Sequence, residues 1–134
     1  MDILVNIDVD DLEKAVQFYR AAFGLKAGRR FGASGVELLG GPAPIYLLAK
    51  PFGTPASDAT SERRRYDRHW TPVHLDFVAD DIDAAVARAV SAGARLERPI
   101  AAYNWGKLAL MADPFGHGFC LIQFVGRGYD EIAE

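Results

Sequence analysis

The stretch LVNIDVDDL, at residues 4–12, decides the fold because it occurs twice in the chain. It returns as HLDFVADDI at residues 74–82, and both copies continue with apolar residues at helical spacing. Each copy therefore predicts a short strand, an acidic turn and an amphipathic helix. Two copies at one offset indicate a duplicated module rather than a solenoid of many repeats.

The limits of the two helices are predicted from capping residues. An acidic residue before each apolar stripe is a suitable N-cap, and a second acid three residues later completes a capping pair. A glycine after each stripe ends the helix, and the first of these glycines suits a left-handed C-cap. These residues are Asp10, Glu13 and Gly24 in the first copy, and Asp80, Asp83 and Gly93 in the second.

Three further strand candidates follow each helix, separated by glycine- and proline-containing turns. They lie at residues 27–31, 36–39 and 45–49, and then at residues 95–99, 107–112 and 119–125. Both halves therefore follow the order β-α-β-β-β. The predicted fold class is α+β, with two tandem modules related by a pseudo-twofold axis and sheets curved around a central cleft.

We predict a single domain over residues 1–134. Module one takes residues 1–50, a linker takes 51–72, module two takes 73–126 and a short tail takes 127–134. The linker has no clear periodicity, so it is predicted to be a plain connection between the modules. Its run of three arginines, Arg63 to Arg65, is interpreted as a solvated face rather than an anion site.

Strand phase predicts which side chains face the cleft. In the two opening strands one face is apolar and suits packing under the helices, whereas the other face is mixed. The polar residues of the mixed face are Asn6 and Asp8 in the first strand, and His74 and Asp76 in the second. All four are predicted to line a binding cleft for a small-molecule ligand. The alternative for Asn6 and Asp8 is that they simply meet water at an edge strand.

Composition narrows the possible partners and the compartment. The net charge of −3 disfavours a nucleic-acid partner, which usually requires a basic face. The one cysteine, Cys120, excludes an internal disulfide and favours a reducing compartment. The first residues do not resemble a signal peptide, and no apolar run is long enough for a membrane span. We therefore expect a cytoplasmic protein.

Three segments carry a resemblance to a known family. They are VDDLEKAVQFYRAAFGL at residues 9–25, VADDIDAAVARAVSAGA at residues 78–94 and DPFGHGFCLIQF at residues 113–124. Together they resemble the vicinal oxygen chelate superfamily, which includes glyoxalase I, extradiol dioxygenases, fosfomycin-modifying enzymes and bleomycin-resistance proteins. The resemblance covers nearly the whole chain and implies two βαβββ modules.

The resemblance also implies where a divalent metal would be held, on the first and last strands of each module. Those positions correspond to Leu4, Tyr46, His74 and Cys120. His74 is the one clear ligand, whereas Leu4 has no donor atom, so we predict that no metal is bound. A metal site would need help from Asp76, Asp8 or Gln123.

Several other side chains are candidates for chemistry or binding. His74 is a possible general base that Asp76 could orient, whereas His69 and His117 are expected to be exposed. Cys120 lies in an apolar strand and is interpreted chiefly as a small core residue.

The loop that contains Tyr103 and Trp105 is either a hydrophobic anchor or a ligand-stacking site. We expect these residues near the mouth of the cleft, because the loop follows the second strand of module two in the resembling family.

Two functional hypotheses remain open. The first is a small-molecule-binding protein of bleomycin-resistance type, which holds a partly apolar ligand in the cleft without a catalytic metal. The second is a metal-dependent lyase, isomerase or dioxygenase of glyoxalase type with an atypical ligand set around His74. The resemblance further implies a homodimer.

Overall fold

The computed structural model describes residues 1–134 and separates them into two compact units, Met1–Asp67 and Arg68–Glu134. The first unit contains β1 Val5–Val9, α1 Leu12–Phe23, β2 Lys26–Phe31, β3 Gly35–Leu39 and β4 Ile45–Ala49. The second unit contains β5 Leu75–Val78, α2 Ile82–Ala92, β6 Arg95–Leu96, β7 Ala101–Tyr103, β8 Gly106–Ala112, β9 Gly118–Phe124 and a 3-10 turn at Gly128–Glu131.

The sheet of the first unit has the strand order β1-β4-β3-β2, with β1 parallel to β4 and the other pairs antiparallel. One face is apolar and packs on α1, because the alternating residues of β1, β3 and β4 send their apolar side chains to that side. Val9, Leu38 and Leu47 are fully buried there, and Phe18 of α1 is buried with them. The other face, here called the open face, presents the polar residues.

The second unit repeats this plan with the strand order β5-β9-β8-β6, and β7 pairs with the same edge of β8. The predicted strand at residues 95–99 is wrong beyond Leu96, because the edge strand is divided into β6 and β7. Pro99 lies in the gap, and a proline has no N–H to donate to a sheet. The predicted α+β fold with two βαβββ modules is otherwise confirmed.

The N-cap of each helix lies one residue later than predicted. Asp11 Oδ1 accepts a hydrogen bond from Lys14 N at 3.0 Å, and Asp81 Oδ1 accepts one from Ala84 N at 3.1 Å. Asp10 and Asp80 are therefore not the caps, because the second acid of each pair is the residue with extended backbone before the first turn. Gly24 ends α1 with φ of 68°, as predicted.

The segment predicted as a plain linker makes regular hydrogen bonds within the first unit. Residues 53–64 form a small antiparallel turn with a bridge between Pro55 and Arg63. Tyr66 donates its hydroxyl to the carbonyl oxygen of Lys50 at 2.5 Å. The prediction was wrong here because these bonds come from turns and single side chains, which leave no periodic pattern in the sequence.

The division into two units places a boundary at residues 67 and 68, inside the predicted linker. The single-domain assignment, the pseudo-twofold axis and the central cleft stay predictions. Neither α1 nor α2 has the length and apolar character that crossing a membrane requires.

Candidate functional site

The second unit brings three potential metal-ligating side chains together on the open face of its sheet. Asp76 of β5 and Cys120 of β9 are neighbours in the parallel register, and His74 directly precedes β5. The donor atoms of the three residues all lie within 4.8 Å of one another. His74 Nε2 lies 3.1 Å from Asp76 Oδ1, so the carboxylate can orient the imidazole as predicted.

This trio has the chemistry of a zinc-type site. Imidazole, carboxylate and thiolate are all zinc ligands, and catalytic zinc sites commonly use three protein ligands. The side chains of His74 and Asp76 are 52% and 39% exposed, so the site is reachable from solvent. The sequence identified His74 as the one clear ligand, and the structure places Asp76 and Cys120, both named from the sequence as possible ligands, beside it.

The other two residues considered as additional ligands are engaged elsewhere. Gln123 Oε1 accepts a hydrogen bond from Ile82 N at 2.9 Å, which directs that side chain to the helix face of the sheet. Asp8 belongs to the first unit, where its Oδ2 accepts a hydrogen bond from Arg64 Nε at 2.6 Å. Asp76 is therefore the one residue of the three that joins His74.

Cys120 is buried but does not belong to the helix-facing core. It lies beside Asp76 on the open face, and burial raises the pKa of its thiol to about 11, with a smaller contribution from the Asp76 carboxylate. Both effects disfavour the charged thiolate. Without a cation nearby, Cys120 is a protonated thiol at neutral pH.

In the first unit, the open face carries a polar row that crosses the sheet. Asn6, Tyr46 and Glu37 are register partners on β1, β4 and β3. Tyr46 donates its hydroxyl to Glu37 Oε2 at 2.9 Å, and Arg29 Nη2 donates to the same oxygen at 2.5 Å. The predicted site residue Tyr46 is therefore part of an ion-paired network.

Sequence reasoning missed both Arg29 and Glu37. Glu37 is 5% exposed, and the Arg29 guanidinium lowers the pKa of its carboxyl to about 2, so it is ionised. The sequence signal for Glu37 was a carboxylate inside the otherwise apolar strand GVELL. Such a residue indicates an ion pair, because charged residues are almost never fully buried unless they are paired. Its partner could not be found from spacing, since Arg29 lies on a different strand.

The expectation that Arg63 to Arg65 form a solvated face is wrong for Arg64. Its side chain is 18% exposed and forms an ion pair with Asp8. Arg64 also donates hydrogen bonds to the carbonyl oxygen of Pro55 and the hydroxyl of Thr54. Asp8, which was predicted to bind a ligand, therefore already forms an ion pair within the chain.

Tyr103 and Trp105 contact one another at the hairpin between β7 and β8. Their rings are stacked, with centroids 5.2 Å apart and planes 3° apart. Trp105 also lies 5.1 Å from the ring of Tyr129 and 6.3 Å from that of Phe124. These contacts match the hydrophobic-anchor interpretation, whereas the ligand-stacking role of this loop stays a prediction.

The expectation that His69 and His117 are both exposed is wrong. Both are partly buried, and His117 Nδ1 lies 2.8 Å from His69 Nε2. A hydrogen bond between two imidazoles requires one donor and one acceptor nitrogen, and the tautomers decide which ring donates. Their separation of 48 residues made the contact invisible to local patterns.

Comparison with known proteins identifies the family. The sequence profile of the Glyoxalase-like domain matches residues 4–122, which is most of the chain. The chain belongs to the glyoxalase-like domain family. This confirms the resemblance to the vicinal oxygen chelate superfamily, on both sequence and fold.

Other proteins resemble this chain in sequence or in fold. An uncharacterised protein of Mycobacterium bovis is 30% identical over 132 residues, covering 95% of this chain and 86% of that protein. A glyoxalase/bleomycin resistance protein/dioxygenase family enzyme from Burkholderia phytofirmans shares the fold with a TM-score of 0.72, at 20% identity over 91% of this chain and 97% of that one. The fosfomycin resistance protein FosX from Listeria monocytogenes has a TM-score of 0.69, at 16% identity over 92% of both chains.

Proposed function

We propose that this glyoxalase-like protein is a cytoplasmic small-molecule-binding protein that holds a partly apolar ligand without a catalytic metal. The observation that supports it best is the contrast between the two faces of each sheet. The helix-facing sides are filled mostly with apolar side chains, whereas the open faces also carry polar and aromatic groups, among them Asn6, Tyr46 and Asp76. Structurally similar proteins include bleomycin- and fosfomycin-resistance proteins.

A thermal-shift screen tests this proposal. The purified protein is screened against metabolites and aromatic compounds, and compounds that raise the unfolding midpoint are tested again on His74→Ala and Trp105→Ala. Trp70→Ala is the matched control, since Trp70 is 80% exposed in the same unit. We expect loss of the shift in at least one of the two test variants but not in the control. A library without any stabilising compound would contradict a ligand-binding function.

The second candidate is a metal-dependent lyase, isomerase or dioxygenase, and the His74–Asp76–Cys120 trio is the observation that favours it. These three residues would hold a divalent ion, which acts as a Lewis acid that polarises an oxygen of the substrate. His74 and Asp76 would then serve as ligands rather than as a base and its orienting partner.

Elemental analysis separates the two candidates. Protein purified without chelator or affinity-tag metal is expected to contain far less than one ion per chain if the binding function is correct. About one zinc, nickel, iron or manganese per chain, lost in His74→Ala, would promote the enzyme instead. Asp8→Ala is the control, because Asp8 belongs to the ion pair with Arg64 in the first unit.

We also propose that the protein is a homodimer, as the family resemblance implies. Closed twofold dimers are the commonest assemblies of soluble proteins. Sedimentation velocity at tens of micromolar checks this, and a purely monomeric species would rule it out.

A further inference from the structure

The open face of the first unit contains a charged arrangement that the proposed function does not yet explain. Glu37 is almost fully buried beneath Arg29, although Arg29 itself lies on β2, whose residues are all exposed. Burying a carboxylate is costly unless it is paired and hydrogen-bonded. The register of the strands positions Arg29 to form that ion pair.

A β-bulge places Arg29 over Glu37. The pairing of β2 with β3 shifts between Ala27 and Arg30, so that Arg29 leaves the regular alternation. A Cβ atom on Gly28 would lie 2.6 Å from Glu37 Oε1, so a side chain there would displace the carboxylate. With glycine at this position, the Arg29 backbone N–H donates to the same oxygen at 3.2 Å. Bulges are frequent where a side chain is re-aimed next to a site.

Hydrogen bonds from two of its nitrogens fix the plane of the Arg29 guanidinium, and the third nitrogen is left to bind another group. Its Nε donates to Glu37 Oε2 at 3.0 Å, and Nη2 donates to Glu37 and also to the Tyr46 hydroxyl at 3.1 Å. Nη1 makes no hydrogen bond within the chain, and the side chain is 69% exposed. Because Glu37 balances the charge, this group offers a flat surface and free N–H donors rather than a net positive charge.

Phe31 lies under the guanidinium carbon of Arg29, and its ring is tilted by 35° from that of Tyr46. It lies opposite Gly35 in the register, and its Cδ2 would be 3.6 Å from a Cβ atom at that glycine, so the ring covers bare backbone. Its centroid is 5.8 Å from the Arg29 guanidinium carbon and 6.1 Å from the Tyr46 ring. Phe31 is nevertheless 43% exposed, which leaves ring surface available for contact.

We propose that Arg29, Phe31 and Tyr46 form a stacking surface for a planar aromatic molecule that carries a carbonyl or carboxylate oxygen. The aromatic ring of the ligand stacks on the exposed part of the Phe31 ring, next to the guanidinium. The ligand oxygen accepts a hydrogen bond from Arg29 Nη1. This inference rests on the proposed binding function and adds the chemical class of the ligand and three residues that recognise it.

The arrangement also predicts what the surface rejects. A saturated ring of the same size lacks the flat π-face, so it loses the stacking contribution. A negative charge on the ligand is not essential, because the ion pair with Glu37 already neutralises Arg29. An amide and a carboxylate on the same aromatic ring should therefore both bind.

The experiment is an NMR titration of the uniformly ¹⁵N-labelled full chain with 2-naphthoate, 2-naphthamide and the saturated decahydro-2-naphthoate. The readouts are the backbone amides of residues 27–31 and 35–37 and the side-chain Nε–H signal of Arg29. Phe31→Leu is compared with Phe52→Leu, an exposed phenylalanine of the same unit. Arg29→Lys is compared with Arg30→Lys, whose wild-type arginine pairs with Glu13.

We expect both aromatic compounds to shift these signals and the saturated compound to bind more weakly. Phe31→Leu should weaken binding of the aromatic compounds by about 2- to 12-fold, the range of an aromatic pair. Arg29→Lys should weaken it as well, while Phe52→Leu and Arg30→Lys should leave it unchanged. If Arg29→Lys fails to fold, as judged by its amide spectrum, the Phe31→Leu comparison and the wild-type Arg29 Nε–H shift decide.

Three kinds of outcome would overturn the inference. Shifts confined to residues 74–76 and 103–105 would keep a ligand-binding function and assign it to the second unit. Equal affinity for the saturated compound, or binding that Phe31→Leu leaves unchanged, would remove the stacking role. If none of the three compounds shifts the spectrum while the thermal-shift screen finds other ligands, the ligand class is wrong and the binding function stands.

Discussion

On the open face of the first unit, the residue that pairs with Asn6 is Tyr46; on the open face of the second unit, the residue that pairs with Asp76 is Cys120. The next register partner is Glu37 in the first case and Leu110 in the second. In the first unit all three register partners are therefore polar, and the last of them, Glu37, pairs with Arg29. In the second unit the third register partner is the apolar Leu110.

The helix-facing sides of the same sheets differ far less. Leu47 pairs with Ile7 in the first unit and Leu121 pairs with Phe77 in the second, all of them apolar. A packed face must be filled without cavities, so its residues stay apolar after duplication. The open face has no such packing requirement, and the side chains of the two units differ there.

The largest effect is expected from the shared packing. Leu47→Ala and Leu121→Ala each remove a buried leucine and should lower the free energy of unfolding by about 2–5 kcal/mol. Chemical denaturation measures this, with Leu39→Ala as the control because Leu39 is 42% exposed. A loss below that of the control in either variant would mean that the two helix-facing sides are not equivalent.

The charged row of the first unit should titrate abnormally. Hydrogen bonds from Arg29 depress the pKa of the Glu37 carboxyl from 4.5 to about 2. The stabilisation is therefore present above pH 4.5 and is lost as the pH falls towards 2. Carboxyl NMR titration measures the pKa, and acid denaturation of Glu37→Gln should lack this dependence. Glu13→Gln, which alters an exposed ion pair, is the control.

The open face of the second unit should show the opposite behaviour with pH. The raised pKa of Cys120, about 11, means that the folded chain keeps a proton that an unfolded thiol, with an ordinary pKa of about 9, has lost. Stability should therefore fall as the pH rises from 9 towards 11. Alkylation with iodoacetamide, in chelator-treated protein at pH 8, should be about a hundredfold slower than in urea.

Asp76→Asn tests the minor cause of that pKa shift. It removes the carboxylate beside the thiol and should move the pH profile of alkylation to lower pH. Asp67→Asn is the control, because Asp67 lies on the exposed chain before the second unit. An unchanged profile in Asp76→Asn would show that the Asp76 carboxylate does not contribute to the raised pKa.

The smallest effect is expected at the helix starts, where the two units behave alike. Asp11→Ala and Asp81→Ala remove N-cap hydrogen bonds and should each cost about 1 kcal/mol in unfolding free energy. Asp10→Ala and Asp80→Ala are the matched neighbours and should change stability by less than about 0.5 kcal/mol. A larger loss at Asp10 or Asp80 would restore the caps that the sequence pattern indicated.

The sequence by itself determined the duplicated modules, both helices, most strand limits and the polar side of the opening strands. These features depend on residue types repeated at a period of 2 or about 3.6, so the chain carries them locally. The predicted polar residues Asn6, His74 and Asp76 lie on the open faces for that reason. His74 was identified from its residue type, because histidine is a metal ligand and a possible general base.

Only the tertiary structure decided which of these groups meet. The bulge at Gly28 brings Arg29 to Glu37, the loop path brings Arg64 to Asp8 across 56 residues, and strand pairing sets Cys120 beside Asp76. None of these contacts has a fixed spacing in the sequence, because each follows from register, bulge and loop course rather than from a repeating pattern. A one-residue change in register would reverse the faces of a strand and separate these pairs.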